Sequence, residues 1–425
     1  MNVFLDMVGC RANQAEIERY ARQFRAAGHQ VVGSLKDADL VVINTCAVTS
    51  AAASDSRQKI HQASRVGARQ IVITGCLGLS GLEDFSSFPG VERIIPNSRK
   101  DNLVSELLNQ PAIILRDFKR EPLPGKRLRT RAFIKAQDGC DHFCTYCITR
   151  LARGKSRSVS KEDVVEEIIA AEKGGAKEAI LCGIQLGSWG NEYSKKENLA
   201  FLVNYVLEKT EIPRLRLSSV EPWGLNDDFF DLWKNPRMCR QLHLPLQSGC
   251  RDTLARMGRK STPELFKDYI AAARMICPEI AITTDIMVGF PGESDLEFEE
   301  SREFIQSINF AGGHVFKFSS RPMVPAAEMK DQVPFAIRKS RSIVISELLH
   351  ESSRIYRRSF LGKEVEVLWE SVKKSIDGQW EVQGLTDNYI KVSAITNSPR
   401  WNNMDYVQIN ALTSDGVSGA ILEQD

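Results

Sequence analysis

Hydrophobic and polar residues change their pattern twice along the chain. In the first hundred residues, short apolar runs alternate with amphipathic stretches. The runs LVVIN and QIVIT are apolar throughout, which is typical of strands buried on both faces of a parallel sheet. The predicted elements are strand 3–7, helix 13–26, strand 40–44, helix 54–66 and strand 70–74. This βαβ order predicts a small doubly wound α/β domain, which we end at residue 121 beside the break EPLPG.

Six further strand–helix units follow between residues 133 and 320. Their predicted strands lie at 132–137, 177–183, 214–220, 241–247, 281–288 and 314–320. Ser160 followed by Asp163 resembles a capping box, and Thr262 before Pro263 marks a second helix start. Six such units predict a partial (β/α)6 barrel with its chemistry at the carboxyl ends of the strands. A long basic helix over about 337–360 completes a predicted domain 122–360.

The last part of the chain, 361–425, has a third pattern. VEVLWE, QWEVQGL, YIKVSA and YVQINAL are short alternating segments, each long enough for one strand with a buried and an exposed face. Four such segments within some sixty residues predict a small all-β barrel as the C-terminal domain.

Composition narrows the class of protein. At about 100–200 residues per domain, 425 residues indicate two to four domains. The start MNVFLDMVGC lacks the charged and apolar segments of a secretory leader, and no apolar run approaches the ~18–20 residues of a membrane span. Ten cysteines are about 2% of the chain, far below the content of a disulfide-stapled domain. We therefore expect a cytoplasmic protein whose thiols stay reduced.

Charge is unevenly distributed although the formal net charge is only +2. Residues 116–161 contain thirteen Lys and Arg but four Asp and Glu, a local net charge of +9. Such a patch suits a polyanion such as RNA, and it equally suits a solvated linker face. Charge alone leaves the two interpretations open.

Cys140, Cys144 and Cys147 form a C-x3-C-x2-C motif. Three thiolates within eight residues can surround one iron–sulfur cube, and three ligands for four irons leave one iron open. A zinc knuckle and unligated thiols are the alternatives. Zinc would need a fourth ligand, which His142 cannot easily provide from between the cysteines.

Cys10, Cys46 and Cys76 each follow a predicted strand of the first domain. In a parallel sheet all three lie at the same carboxyl edge, where doubly wound folds bind ligands. The pattern indicates a second metal site, although buried cysteines that only pack are also common. The other cysteines are interpreted as packing residues: Cys182, Cys239, Cys250 and Cys277.

The loop CDHFCTYC resembles the motif of the radical S-adenosylmethionine superfamily, with Tyr146 at the aromatic position. The resemblance implies a 4Fe–4S cluster that binds S-adenosylmethionine and cleaves it to a 5′-deoxyadenosyl radical. VGCRANQAE, INTCAV and ITGC resemble the N-terminal signature of the methylthiotransferases, which carry a second 4Fe–4S cluster on three such cysteines. Similarity extends over nearly the whole chain, through EAILCGIQLGSWG, DIMVGFPGE and FSSRP to GLTDNYIKV, which resembles the TRAM domain.

Within that family, LRLSSVEP and HLPLQSG resemble the branch that acts on N6-threonylcarbamoyladenosine next to the tRNA anticodon. Other branches act on N6-isopentenyladenosine or on an aspartate of a ribosomal protein. The resemblance implies that the auxiliary cluster carries a sulfur, which one molecule of S-adenosylmethionine methylates. A second molecule of S-adenosylmethionine yields the radical that attacks C2 of the adenine. An aromatic C–H has no acidic proton at neutral pH, so a general base could not begin this reaction.

Further site residues are predicted from strand ends and from the basic loop. The catalytic and metal-ligating set is Cys10, Cys46 and Cys76 (auxiliary cluster) with Cys140, Cys144 and Cys147 (radical cluster). The predicted S-adenosylmethionine contacts are Tyr146, Gly183, Gln185, Glu221, Gln247, Ser248, Asp285, Gly289 and Pro291, any of which could instead pack or turn. The predicted RNA contacts are Arg129, Arg131, Arg150, Arg153, Lys155 and Arg157. Implied partners are tRNA, a reducing protein as electron donor and a sulfur donor, with a monomeric chain and no membrane.

Two features depart from the family pattern. Ile148-Thr149-Arg150 stands where the family usually has a proline, and the C-terminal domain carries five basic and ten acidic residues. A barrel that grips RNA phosphates should not be acidic, so we expect the 116–161 patch to supply most of the affinity. Neutralising Arg129, Arg131, Arg153 and Arg157 should then weaken tRNA binding and flatten its salt dependence.

Two rival classes are considered. A cobalamin-dependent radical methyltransferase also places a doubly wound domain before its barrel, but none of the six histidines here lies in an Asp-x-His-x-x-Gly loop. A zinc- or cluster-stabilised RNA-binding protein would cleave no S-adenosylmethionine under anaerobic reduction.

Overall fold

The computed structural model describes residues 1–78, 85, 88–111, 113, 115, 118–121, 123, 130–193, 197–375 and 377–422. Within these ranges, no helix combines the length and the apolar character needed to cross a bilayer. The first predicted domain boundary adjoins residues 122 and 124–129, which lie outside the described part. The second falls between the last long helix and the C-terminal strands.

The N-terminal part is a parallel five-stranded sheet with helices on both faces. Its elements in chain order are β1 (Asn2–Met7), α1 (Arg11–Ala26), β2 (Gln30–Val32), β3 (Leu40–Thr45), α2 (Ser50–Arg65), β4 (Gln70–Gly75), β5 (Val91–Ile95) and α3 (Leu103–Leu108). The strand order β2-β1-β3-β4-β5 confirms the doubly wound prediction. Strands β2 and β5 were not predicted, because they are short edge strands with largely exposed side chains.

Helix α1 is buried on most of its surface because it lies between this sheet and the barrel. Apolar residues such as Ile17, Tyr20 and Phe24 pack on the sheet. Its polar residues Asn13 and Glu16 are also buried, with 0% and 2% of their surface exposed. Buried polar groups need partners, and those of α1 lie at the functional site.

The central part is the predicted partial barrel. Its elements are β6 (Arg131–Lys135), β7 (Gln137–Asp138), α4 (Thr149–Arg153), β8 (Arg157–Ser158), α5 (Lys161–Lys173), β9 (Glu178–Cys182), α6 (Leu199–Lys209), β10 (Arg214–Leu217), α7 (Asp227–Phe230), β11 (Gln241–His243), α8 (Arg251–Arg256), α9 (Pro263–Ile276), β12 (Ala281–Val288), α10 (Asp295–Ile308), β13 (Gly312–Lys317) and α11 (Phe335–Arg358).

Six of these strands form the barrel wall in two parallel halves. One half has the order β10-β9-β6 and the other β11-β12-β13. Parallel bridges from Leu215 to Met238 and from Ser219 to His243 join the halves. The helix starts read from the sequence are confirmed: the hydroxyl of Ser160 accepts the Asp163 N–H, and Thr262 caps α9 with a proline at its first position.

The C-terminal part is a closed five-stranded barrel, as predicted for an all-β domain. Its strands are β14 (Glu364–Lys374), β15 (Trp380–Thr386), β16 (Lys391–Thr396), β17 (Met404–Leu412) and β18 (Val417–Ile421), in the order β14-β15-β16-β18-β17. Val367, Trp369 and Val382 lie in its core with no exposed surface.

Ion pairs attach this small barrel to the central barrel, at the N-terminal ends of its strands. Three acidic side chains of the small barrel each meet an arginine of the larger one. The pairs are Arg131 Nε–Glu370 Oε1 (2.5 Å), Arg214 Nη2–Glu366 Oε2 (2.9 Å) and Arg240 Nε–Asp387 Oδ2 (2.6 Å). Three of the ten acidic residues of the C-terminal domain therefore serve the contact between the domains.

Candidate functional site

The three strand-end cysteines come together at one edge of the N-terminal sheet. Cys10, Cys46 and Cys76 follow β1, β3 and β4, and their thiols are close enough to influence one another electrostatically. Gly9 has a positive φ of 107°, and a Cβ there would stand 2.8 Å from the Cys46 Sγ. Only glycine permits this approach without strain. Burial, with Cys76 and Cys10 nearby, raises the pKa of the Cys46 thiol to about 11.

The second group of cysteines lies in the loop between β7 and α4. Cys140, Cys144 and Cys147 are half-buried, and burial together with the two neighbouring thiols raises the pKa of Cys140 to about 12. The loop closes tightly at Gly139, where φ is 74° and a Cβ would lie 1.9 Å from the carbonyl oxygen of Lys155. Burial also raises the pKa of the Cys76 and Cys144 thiols, although Arg153 beside Cys76 and Arg259 beside Cys144 act in the opposite direction.

The described residues around the cysteine loop favour a cluster over a zinc ion, because they offer no fourth zinc ligand. Among the described residues, no three His, Cys, Asp or Glu side chains converge closely enough for one metal ion. The His142 Nε2 accepts a hydrogen bond from the Trp223 Nε1–H at 3.1 Å, so this ring is not free to be a fourth zinc ligand. Three thiols without a fourth ligand fit an iron–sulfur cube with one open iron better than a structural zinc ion, which takes four ligands.

The loop of Cys140, Cys144 and Cys147, here named the radical loop, borders a cleft of about 310 Å³. It is lined by Gln185 and Glu221, both predicted cofactor contacts, and by Asp141 of the loop itself. The Gln185 side-chain oxygen accepts the Asp141 N–H (3.1 Å), and the Glu221 carboxylate accepts the Gly187 N–H (3.0 Å). Burial raises the pKa of Glu221 to about 7. The cleft thus offers a carboxylate and an amide at hydrogen-bonding range of a polar ligand.

The Tyr146 side chain packs on the inner side of the same loop. Its ring packs edge-on against Phe290 at 6.3 Å and belongs to a small apolar cluster with Met257 and Phe318. Thr145 anchors the loop through its hydroxyl, which donates to the Arg256 carbonyl at 2.9 Å. The aromatic position of the motif therefore packs beneath the loop.

The remaining predicted cofactor contacts divide between two places. Gly183 and Asp285 line a larger cavity of about 680 Å³, in which His243 Nε2 lies 3.3 Å from the Asp285 carboxylate. Gln247 adopts a positive φ of 72° and exchanges backbone hydrogen bonds with β12.

Ser248, Gly289 and Pro291 make internal contacts. The Ser248 hydroxyl is buried and accepts a backbone N–H two residues further on. The Gly289 N–H donates to Glu293, and the Pro291 carbonyl accepts from Arg256. These contacts match the packing or turn alternative that the sequence left open.

Tyr389 of the C-terminal barrel, which the sequence suggested only as an aromatic that could stack on RNA, reaches the same large cavity. Its ring lies 6.0 Å from the guanidinium of Arg11, 5.6 Å from that of Arg131 and 4.8 Å from that of Arg216. Arg11 directly follows Cys10. Tyr389 therefore touches all three parts of the chain. Its signal in the sequence was the segment GLTDNYIKV, in which Tyr389 takes a positive φ of 69°.

Three predicted RNA contacts lie at the protein surface and follow the radical loop in sequence. Lys155 is exposed, and 42% of the Arg157 side chain is exposed although it lies near Asp138. Arg150 stacks on the exposed ring of Phe143 at 3.3 Å. Arg129 lies outside the described residues.

Two predicted RNA contacts are engaged inside the protein. Arg131 pairs with Glu370 at the domain contact, and 17% of its side chain is exposed. Arg153 is buried, with 1% of its side chain exposed, and its guanidinium lies 2.8 Å from Asp138 and 3.3 Å from Glu16. The prediction that Arg153 contacts RNA is wrong, because its charge is already neutralised in the interior.

Arg153 belongs to a buried ionic network that sequence reasoning missed. Lys100 Nζ lies 2.5 Å from Glu16 and 2.8 Å from Asp138. Lys135 pairs with Asp101 at 2.6 Å and approaches the same two carboxylates. The network joins α1, the turn just before α3 and the barrel, and Arg153 brings it to the auxiliary cysteines.

Comparison with known proteins first defines the class. Residues 134–305 match the model of the Radical SAM superfamily, and residues 2–94 match that of the Uncharacterized protein family UPF0004. The radical S-adenosylmethionine methyltransferase TsrM from Kitasatospora setae shares the fold, with a TM-score of 0.58, 14% identity and 77% of this chain and 75% of TsrM covered. The fold and the cysteine loop thus define a radical SAM enzyme, which uses S-adenosylmethionine and a 4Fe–4S cluster.

Three curated relatives define the family. "Threonylcarbamoyladenosine tRNA methylthiotransferase MtaB" of Thermotoga maritima is 34% identical, covering 98% of this chain and 96% of its own. The Bacillus subtilis protein of the same name is 32% identical, covering 91% and 88%. "tRNA-2-methylthio-N(6)-dimethylallyladenosine synthase" of Endomicrobium trichonymphae is 30% identical, covering 93% of each. The chain belongs to the radical SAM methylthiotransferase family, enzymes that transfer a methylthio group.

Proposed function

We propose that this enzyme attaches a methylthio group to C2 of N6-threonylcarbamoyladenosine next to the anticodon of tRNA. The observation that carries the substrate is the set of relatives at 31–34% identity that are named for threonylcarbamoyladenosine, over 91–98% of this chain. Relatives named for dimethylallyladenosine reach 28–31%. The proposed tRNA substrate is consistent with a cytoplasmic enzyme.

Cys10, Cys46 and Cys76 would hold a second 4Fe–4S cluster. Three thiols from three separate strand ends meet here, and a buried guanidinium stands beside two of them. When bound, the radical-loop cluster would reduce S-adenosylmethionine and so supply the radical needed to attack an unactivated aromatic C–H. The auxiliary cluster would supply the site for the transferred sulfur.

The residues of the chain would bind and orient the reactants. Glu221 and Gln185 line the cleft beside the radical loop and would hold the ribose hydroxyls and the methionine part of S-adenosylmethionine. The larger cavity is lined by Cys10, Asp285 and Tyr389, so it would receive the adenine beside the auxiliary cysteines and limit the access of water to the reaction.

The exposed basic side chains of the radical loop would bind tRNA phosphates. Arg150, Lys155 and Arg157 follow the loop and have exposed surface. Phosphate contacts position a nucleic acid without reading its sequence. Electron donor and sulfur donor would meet the enzyme as separate partners.

Nucleoside analysis of tRNA from a gene-deletion strain tests the substrate. We expect N6-threonylcarbamoyladenosine without its methylthio group, and restoration by the wild-type gene but not by a gene with Cys10 replaced by Ala. The second candidate, favoured by the relatives named for dimethylallyladenosine, predicts loss of the methylthio group from that nucleoside in the same digest. Normal tRNA with a ribosomal-protein aspartate lacking its methylthio group would contradict both.

An anaerobic iron count on reconstituted protein tests the second cluster. Two cubes require about eight irons per chain. Replacing Cys10, Cys46 and Cys76 by Ala should halve the count. The control replacement of Cys239 and Cys277 should leave it unchanged, because these thiols lie beside Glu178 and Arg240 at the starts of the barrel strands. A count of about four in the unmodified protein would contradict the auxiliary cluster.

A further inference from the structure

Arg153 occupies a position between the two groups of cysteines. It ends helix α4, six residues after Cys147 of the radical loop, and its side chain enters the N-terminal part of the molecule. Its Nε lies 3.4 Å from the Cys76 Sγ, and its Nη2 lies 4.0 Å from the Cys10 Sγ. One guanidinium therefore approaches two of the three auxiliary thiols from the loop that carries the other three.

The orientation of the guanidinium is fixed from several sides. Its Nη1 donates to Asp138 at 2.8 Å and to Glu16 at 3.3 Å, and its Nη2 donates to the side-chain oxygen of Asn13. Asn13 is itself held by the carbonyl oxygens of Val8 and Thr45, which end β1 and β3. Every nitrogen of Arg153 thus has a partner, and those of Nε and Nη2 include sulfur.

Charge pairing alone does not account for this arrangement. Lys100 already pairs with both carboxylates, at 2.5 Å to Glu16 and 2.8 Å to Asp138. A second cation whose purpose was only to neutralise them would not need a planar group turned toward two thiols. Arginine, unlike lysine, can direct several N–H groups at fixed angles.

We propose that Arg153 is a positioning residue for the auxiliary cluster, with its N–H groups donating to the sulfurs of Cys10 and Cys76. The inference rests on the proposed second cluster. N–H···S bonds withdraw charge from cluster thiolates and stabilise the reduced state, which makes the reduction potential less negative. The same bonds hold the auxiliary site at a fixed distance from the radical loop, because one residue belongs to both.

The test uses the full chain with Cys140, Cys144 and Cys147 replaced by Ala, so that a cluster on the auxiliary cysteines is observed alone. In this background we compare Arg153→Lys with Lys135→Gln. Lys135→Gln removes one cation from the same network without touching a sulfur. The measurements are iron content and an EPR-monitored redox titration.

The expected result is about four irons in the background protein and a more negative midpoint potential for Arg153→Lys than for Lys135→Gln. Equal shifts in the two variants, or no shift in Arg153→Lys, would overturn the role of Arg153 while leaving the cluster intact. Absence of iron from the background protein would instead contradict the proposed function.

A second measurement covers the case in which Arg153→Lys does not fold. The background protein is labelled with 15N-arginine and reduced, and pulsed EPR records hyperfine coupling between the cluster and nitrogen. A guanidinium Nε at hydrogen-bonding range of a ligating sulfur should give a resolved 15N coupling. A reduced cluster without such coupling would overturn the proposal.

Discussion

Glu16 is a carboxylate with almost no access to water, and three cations surround it. Burial by itself would raise its pKa, but Lys100, Arg153 and Lys135 outweigh burial and lower the pKa to about 2. A carboxylate whose pKa falls on folding stabilises the protein above its unfolded pKa, and this contribution disappears as the pH falls toward the folded value. Glu16 should therefore stabilise the native state fully above pH 4.5.

Glu16→Gln should cost about 3–5 kcal/mol of unfolding free energy at pH 7, because it leaves buried cations short of a counter-charge. Urea denaturation at pH 7, 4 and 3 measures the loss, which should shrink as the pH falls from 4.5 toward 2. The control is Glu299→Gln, which breaks an exposed pair with Arg302 and should have no measurable effect. A loss independent of pH would contradict the assigned cause.

Gly139→Ala should disrupt the radical loop far more than an ordinary glycine substitution does. Both Gly139 and Gly28 have a positive φ, 74° and 79°, so each alanine carries the same backbone strain. A Cβ at Gly139 would also meet the Lys155 carbonyl at 1.9 Å, whereas Gly28 has open space. We expect reconstituted Gly139→Ala to lose about half its iron and Gly28→Ala to lose none. Equal iron in both would contradict the importance of this contact.

At the residue level, the sequence predicted the cysteines better than their partners. A C-x3-C-x2-C spacing is local, and three cysteines after three parallel strands must share an edge. Arg153 was misread because a basic loop has the same composition whether its arginines are solvated or buried. Its partner Glu16 lies far away in sequence, and only tertiary packing brings the two within 3.3 Å.

At the level of elements, hydrophobic periodicity located the buried strands and long helices but not the edges. The missed strands β2, β5 and β18 have few buried residues, so they carry little of the pattern that marks a strand. The links between elements were also invisible, because they consist of single buried polar side chains.

Gln137 is one such link, between β7 and the turn after β9. Its amide nitrogen donates to the carbonyls of Asp138 and Gly139, and its oxygen accepts the N–H groups of Ile184 and Gln185. Ile184 and Gln185 are therefore fixed relative to the radical loop by the Gln137 side chain, which has no exposed surface.

Gln137→Leu should leave these backbone groups without partners, at about 1–3 kcal/mol for each that stays buried. We expect a lower melting temperature and weaker binding of S-adenosylmethionine, measured by calorimetry on the reconstituted protein, because Gln185 lines the cleft. The control Gln306→Leu lies on the exposed face of α10 and should change neither. Unaltered binding by Gln137→Leu would show that the link does not shape the cleft.

At the level of the whole molecule, opposite charges on two domains cancel in the sum, so the net charge is only +2. Arginines at the starts of β6, β10 and β11 meet acids of the C-terminal barrel. Arg240 is bidentate to Asp387, at 2.6 and 3.0 Å. The local +9 stretch was thus only partly available for RNA, a division that composition cannot show.

Arg240→Asp should weaken the attachment of the C-terminal barrel to the central barrel, because it places two carboxylates opposite each other at their contact. Limited proteolysis should then cleave faster near residues 359–363, between α11 and β14. The double variant Arg240→Asp, Asp387→Arg restores the opposite charges and should slow cleavage again. Equal cleavage in the wild-type and Arg240→Asp proteins would show that this pair does not hold the domains together.

The RNA surface can now be tested with basic side chains that keep exposed or partly exposed surface. We expect the triple variant Arg150→Gln, Lys155→Gln, Arg157→Gln to bind tRNA more weakly and to lose about one unit of the log–log salt slope per phosphate contact removed. Its melting temperature should stay near that of the wild type, since these side chains are exposed or partly exposed. Lys209→Gln, at the end of α6, is the control for loss of an exposed charge. A triple variant with the wild-type salt slope would assign tRNA affinity to another surface, because counterion release follows the number of phosphates neutralised.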